Sequence, residues 1–518
     1  MRRSRPHDLG LGRAITSNAI EAPTTLSQPT AWGATRSKTL TAMDAPMYCE
    51  IADTAKRPSG GRGRRVPVTP RVCSTDASGW CHAVVVPRDG HLFARGADLP
   101  VAASALGSVI TTVDGVEYLD GAGGAIASSI GHGRREVVDA MSAQAAAVDY
   151  VHATQFTTES AERFADRVAA VVPVDDARVF PVSGGSEANE TAFKLARAFH
   201  LANGDAERHV IVARVGAYHG NSRGALDASD RLGLRAGYEP WLGQTERVPA
   251  VNPLRDGRSG VEHAEALADM IDGIGVERVA AFIAEPVSGA TLGAVVPPDD
   301  YWPAVARVCR ERGVLVIADE VMTGFGRTGR WFGVDHWDIR PDLVTAGKGA
   351  SSGYWPLGLC VASGEVFETV ADGFAHGFTW SHHPVGAAVG EAVLDVIERE
   401  SLIVNAAVVG DRIRARLRAD LGDHPNVAEV RGLGMLTGVE FVADRSTLEP
   451  FPRSAAVCER VVRACLDRRM TVYPCTSAVD GRVGDAVLLG PPLSVTVGEA
   501  DEMVDRLVDA VRSVLNPA

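Results

Sequence analysis

The spacing of apolar residues changes twice along this 518-residue chain, dividing it into three stretches. Up to about residue 82 there is no rhythm. Pro, Gly, Ser and Thr mix with basic clusters such as Arg62, Arg64 and Arg65, without a sustained period of 2 or 3.6. Such a segment buries too little apolar surface to offset the entropy of ordering it, so residues 1–82 read as a disordered basic leader. Order is expected from near His91. The stretch 110–119, with Asp114-Gly115 at its centre, reads as a hairpin.

The second stretch is an α/β alternation. Ala188, Ala192, Leu195, Ala196 and Phe199 recur at i, i+4, i+7, i+8 and i+11, a core-facing stripe on a helix starting near Ser186. Short, nearly all-apolar runs occur at 209–215, 279–284, 314–318 and 342–345. Strands apolar on both faces, separated by helical stretches, predict a covered and mainly parallel sheet. From Gly386 the third stretch begins. Helices are expected to about Arg399, over 405–421, over 455–468 and from near Val497, with strands near 427–430 and 436–442. The chain is thus expected to form an α/β fold: a large sheet domain over 141–385, and a smaller α+β domain built from 91–140 and 386–518.

Composition adds a charge asymmetry. The formal charge is -13, yet residues 1–82 hold twelve Lys or Arg against six Asp or Glu, leaving -19 for the remainder. Nucleic acid and anionic membranes are therefore poor partners for the body. No apolar run approaches the ~18 residues of a membrane span, and the first 30 residues lack a signal-peptide core. The leader shares its Arg, Ser and Thr content with transit peptides, but Asp8, Glu21 and its prolines argue against one, and Met43 or Met47 is an alternative start. Eight cysteines without a C-x-x-C pair fit a reducing, cytoplasmic location. Cys458 and Cys465, seven apart, read as small buried residues rather than a redox pair.

Only four of the 52 Lys plus Arg are lysine: Lys38, Lys56, Lys194 and Lys348. Lys348 stands between two glycines just past an apolar run, where a desolvated amine can lose its proton and attack a carbonyl, as arginine cannot. Three more features end other apolar runs, where open α/β sheets bind ligands. Ser183-Gly184-Gly185-Ser186 opens into a helix, which suits a phosphate or, equally, a plain turn capped by Ser186. Tyr218-His219-Gly220 can cover the face of a ring or simply pack. Asp319-Glu320 follows Val-Leu-Val-Ile-Ala, so its carboxylate needs a positive partner, either a protonated pyridine nitrogen or a nearby arginine. Together these four are what pyridoxal phosphate (PLP) asks of a protein. The adjacent His382 and His383 are not spaced as ligands on one helix face, and no metal site is expected.

In this combination the chain resembles the class III aminotransferases of the fold type I PLP enzymes. The matching motifs run in order: Ser-Gly-Gly-Ser-Glu-Ala-Asn-Glu from Ser183, Tyr218-His219-Gly220, Glu285-Pro286, Asp319-Glu320-Val321, Gly324-Phe325-Gly326-Arg327, Gly347-Lys348-Gly349 and Pro356-Leu357-Gly358. The resemblance covers about residues 91 to 515. The resemblance implies that Gly185 and Ser186 bind the phosphate and Tyr218 stacks on the ring. Asp319 would pair with the ring nitrogen, Val321 would pack on the opposite face and Lys348 would carry the cofactor as a Schiff base. His219 and Glu285 would complete the cofactor shell. Thr379 matches a threonine that reaches the neighbouring subunit's phosphate, so a homodimer with shared sites is implied. Tyr150 and Phe156 are implied as substrate contacts.

Three departures stand out. Gly184 replaces a common Ser or Thr, and Gly131-His132-Gly133-Arg134-Arg135 replaces a Gly-His-Gly-His-Pro stretch. Leu488 stands where several relatives place an arginine for a substrate carboxylate, which argues against a simple omega-amino-acid or ornithine-type assignment. Arg431 is family-typical and expected to be at least half structural. The expected reaction moves an amino group from an amine or amino acid to an oxo acid such as pyruvate or 2-oxoglutarate by a ping-pong cycle. The same four groups also serve racemases, aminomutases and decarboxylases. A PLP-binding regulator is the remaining alternative, but the leader shows no helix pair for DNA.

Overall fold

The computed structural model describes residues 99–515, so the leader over 1–82 and the expected onset of order near His91 lie outside the described residues. Seven strands form the central sheet, in spatial order Arg178–Val182, Gly358–Ala362, Leu343–Ala346, Leu315–Asp319, Val279–Ala284, Val210–Arg214 and Thr245–Val248. Gly358–Ala362 runs antiparallel to both neighbours, and the pairings from Leu343–Ala346 outward to Thr245–Val248 are parallel.

Alternation along the strands explains why their sequences read as apolar throughout. Ala281, Ile283, Leu315, Ile317 and Leu343 pack with Ala192, Leu195 and Ala196 of the Gly185–Ala202 helix. The intervening Phe282, Ala284, Val316, Ala318 and Val344 belong to the larger core, with Leu267 and Ile271 of Gly260–Ile274 and Val305 of Tyr301–Arg312. Both faces are covered, so both sets of side chains leave water.

Strand bounds differ from the sequence reading in two useful places. Asp319 is the last residue of its strand rather than the first beyond it. Asp342 precedes its strand, and its carboxylate accepts from the Val316 amide at 2.7 Å. Three strands escape the periodicity: Arg178–Val182 contains a proline, Thr245–Val248 is a half-exposed edge, and Gly358–Ala362 is built largely from small residues.

Two smaller sheets flank this body. Val109–Thr112 and Glu117–Asp120 form the expected hairpin, turning at Gly115 with φ 80°. Met470–Thr471 then adds in parallel to Glu117–Asp120, pairing Met470 with Leu119 and Thr471 with Asp120. The other sheet is antiparallel, in the order Val427–Leu433, Leu436–Phe441, Asp485–Leu489 and Tyr473–Cys475. Arg431 lies inside its first strand. It donates to the carbonyls of Gly293 at 2.8 Å and Leu292 at 2.5 Å and pairs with buried Glu440, which makes it a clamp between segments. Cys458 and Cys465 are buried on the Val457–Asp467 helix, where burial pushes both thiols up. Among the described residues no helix is long and apolar enough to cross a membrane.

Candidate active site

After Arg178–Val182 the chain turns through Ser183 and Gly184 and enters the Gly185–Ala202 helix without a side-chain cap. Its first-turn N–H groups lack intrahelical acceptors, and the positive end of the helix dipole faces the same way. Glycine at 185 leaves Val321 in place: a Cβ there would lie 2.8 and 2.9 Å from its methyls and force it to move. Gly220, at φ 136°, leaves room for Ser186, whose hydroxyl accepts from the Asn221 amide at 3.1 Å. Ser183 Oγ is buried without a hydrogen-bond partner.

Asp319 ends the Leu315–Asp319 strand and is 3 % exposed. Three donors hold it. His219 Nδ1 lies 2.7 Å and Asn189 Nδ2 3.0 Å from Oδ2, and the Val321 amide donates to Oδ1 at 3.0 Å. Facing an acceptor, His219 Nδ1 is the donor, while its Nε2 is buried and unpartnered. Glu285 follows the Val279–Ala284 strand. Its carboxylate accepts from the Gly289 amide at 3.2 Å and the Tyr218 amide at 3.3 Å. Burial raises its pKa, opposed by His219 and Arg214.

Lys348 follows the Leu343–Ala346 strand in the left-handed region, at φ 40°, a conformation that surrounding structure must enforce in a residue with a side chain. Gly349 beside it has little room for a Cβ, which would meet Phe325 Cβ at 3.0 Å. The residue keeps some solvent contact on its cleft side. Desolvation nevertheless lowers the amine to about 8, against the opposing pull of Asp319 and Glu285. At pH 7 about a tenth of it is therefore a neutral nucleophile, some 300-fold more than for an ordinary lysine.

Gly185, Ser186, Tyr218, His219, Glu285, Asp319, Val321 and Lys348 all line one cavity of about 420 Å³. The other three predicted residues do not join them. Phe156 and Thr379 line a separate cleft of about 600 Å³, and the Tyr150 hydroxyl donates to the Thr379 carbonyl at 2.9 Å. The two cavities have no lining residue in common.

Ser183, the start of the turn read as suited to a phosphate, lines the cavity too; Met322 and Trp355 also line it but were not read from the sequence as site residues, nor was Asn189 behind it. Asn189 carried a signal: a polar residue beside Ala188 and Ala192 on a buried stripe needs a partner. Trp355 carried none, since its place depends on the turn after Lys348. Leu488 is fully buried in an apolar cluster with Ile126, Met322 and Leu436, behind the cavity wall.

Known proteins resemble this chain in sequence and fold. The aminotransferase class-III family model matches residues 93–511. The uncharacterized aminotransferase YodT of Bacillus subtilis is 36% identical, over 80% of this chain and 95% of its own length. A diaminobutyrate–2-oxoglutarate transaminase of Halomonas elongata is 34% identical, over 84% and 94%. Among solved structures, the omega transaminase from Pseudomonas jessenii in complex with PMP superposes with a TM-score of 0.76 at 30% identity, covering 81% of this chain and 93% of that one. From its motifs, its sheet and these relatives, the chain belongs to the class III aminotransferases.

Proposed function

We propose that the protein is a transaminase that holds PLP in the cavity around Lys348, with an amine or amino acid as donor and an oxo acid as acceptor. The observation that carries this reading is the convergence of Lys348, Asp319 and the Gly185 turn on one cavity. The residues fit the group. The helix start and the unpartnered Ser183 hydroxyl are donors suited to a phosphate, and Asp319 is an acceptor suited to a protonated ring nitrogen. Val321 and Tyr218 would lie against the two ring faces, with His219 and Glu285 at its edge. Bound PLP supplies an electron sink that makes the donor's Cα–H acidic.

The protein's own groups do the rest. Lys348's amine, lowered to about 8, would hold the cofactor through its carbonyl carbon and, once freed by the donor amine, would move the proton released from the donor's Cα. Asp319, fixed by three donors, would accept a hydrogen bond from the ring nitrogen and so keep the proton on it. Wild type is expected to give a borohydride-fixed PLP peptide containing Lys348, and Lys348→Arg to lose multiple-turnover transfer. Label on another peptide, or sustained turnover by the variant, would falsify this assignment.

The reading extends to a cytoplasmic homodimer in which Thr379 serves the other subunit's phosphate. It is supported by Thr379 being exposed and lining a cleft separate from that of Lys348 in its own chain. A monomeric mass by light scattering for fully active protein would remove it. The division into a 141–385 domain and an assembly of 91–140 with 386–518 belongs to the same reading.

A further inference from the structure

Asn189 is fully buried in the second turn of the Gly185–Ala202 helix, and both ends of its amide are hydrogen-bonded. Its Nδ2 donates to Asp319 Oδ2 at 3.0 Å and to the His219 carbonyl at 2.6 Å. Its Oδ1 accepts from Thr345 Oγ1 at 2.7 Å. Helix packing alone does not call for this residue, since the neighbouring Ala188 and Ala192 fill the same face without burying a polar group. An unmatched buried amide costs ~1–3 kcal/mol, so its complete pairing is informative.

The pairing also fixes which way the amide points. Two acceptors, a carboxylate and a carbonyl, meet one end, and a hydroxyl donor meets the other. Thr345 is fully buried and stands opposite Asp319 in the sheet register, and its carbonyl accepts from the Glu320 amide at 2.7 Å. One side chain therefore ties three elements together: the helix opened by the Gly185 turn, the strand ending in Asp319 and the strand feeding Lys348.

We propose that Asn189 is a positioning residue for Asp319, with Thr345 fixing its amide, and that this pair sets how firmly the carboxylate holds the cofactor's ring nitrogen. The inference rests on the PLP reading above. Without Asn189, Asp319 Oδ2 keeps only His219 and Oδ1 only the Val321 amide, so the carboxylate turns more easily about its Cβ–Cγ bond. A ring nitrogen held less firmly keeps less positive charge, withdraws less from the Lys348 nitrogen and drains less charge from the reacting carbon.

The test uses PLP-loaded wild type, Asn189→Ala, Thr345→Val and Thr345→Ser, each first mapped by borohydride labelling. In Asn189→Ala the single-turnover donor half-reaction is expected to slow by roughly 10- to 100-fold, the range seen when a residue that orients a metal ligand is lost. The effect should fall on kcat rather than KM, and the pH midpoint of the visible PLP band should rise by about one unit. Thr345→Val is expected to show a smaller change in the same direction, and Thr345→Ser to restore wild-type behaviour. Half-reaction rates within twofold of wild type and an unmoved midpoint in Asn189→Ala, at full loading, overturn the proposal. Should Asn189→Ala fail to fold, the threonine pair decides: equal midpoints in Thr345→Val and Thr345→Ser overturn it. Wild type unlabelled at Lys348 would instead bring down the cofactor reading on which it rests.

Discussion

Replacing Gly185 with alanine separates the cost of filling the cavity from the cost of unfolding the protein. The added Cβ would sit 2.8 and 2.9 Å from the two Val321 methyls, so Val321 has to move. Val321 lines the cavity and is only partly buried, so its way out is into the space proposed for the ring. Overpacking of this kind costs about 1–3 kcal/mol. In the free protein the clash is relieved by rotation into the open cavity, and alanine gains up to ~1 kcal/mol of helix propensity over glycine. The melting temperature without cofactor should therefore stay within a few degrees of wild type. With PLP bound the escape route closes and the full cost appears as affinity, roughly 5- to 150-fold weaker binding. PLP dissociation constants for wild type, Gly185→Ala, Val321→Ala and the double variant give a thermodynamic cycle. Its coupling energy should reach ~1 kcal/mol or more, with the second substitution relieving the first. Additivity within ~0.5 kcal/mol would refute the argument, because two residues sharing one clash cannot act independently.

Three further outcomes follow from buried charges. Capture of PLP by the cofactor-free protein should accelerate with a midpoint of about 8, because that is where desolvation places the Lys348 amine; a rate still climbing linearly beyond pH 10 contradicts this. The same shift has a stability sign: above about 8 the folded amine is neutral while the unfolded one still binds a proton. Cofactor-free protein should therefore gain stability between about 8 and 10.5, a slope that Lys348→Met removes. Glu320 is fully buried and accepts from the amides of Gly333 and Val334, each at 2.8 Å, and from the Thr323 hydroxyl. Glu320→Gln turns one acceptor into a donor facing a donor, and should lower stability in urea by about 1–3 kcal/mol with PLP absorption retained; an unchanged urea midpoint would contradict this.

Much of this site could be read from the chain because its parts lie where strands end, and strand ends are written in runs of apolar residues. Asp319 and Lys348 each follow such a run, and Gly185 opens a helix whose stripe is plain from Ala188 to Phe199. Features that depend on geometry between segments were not legible. No local pattern says that Thr345 reaches Asn189 across 156 positions, or that Trp355 turns into the cavity. The antiparallel strand Gly358–Ala362 was hidden because small residues carry little periodic signal. Thr379, Tyr150 and Phe156 show the limit most clearly: the motif was readable, but the fold of one chain places all three away from the Lys348 cavity.

The two-residue strand Met470–Thr471 imposes an order of assembly. It joins the sheet of the Val109–Thr112 hairpin from some 350 positions downstream, and the Thr471 hydroxyl donates to Asp120 at 2.8 Å. During synthesis the early hairpin must wait, with one edge unclosed, until nearly the whole polypeptide has left the ribosome. Loop closure over that span is slow, and open strand edges invite mispairing. Chaperone dependence and aggregation of nascent chains should therefore be relieved by residues around 470, far in sequence from the hairpin they protect.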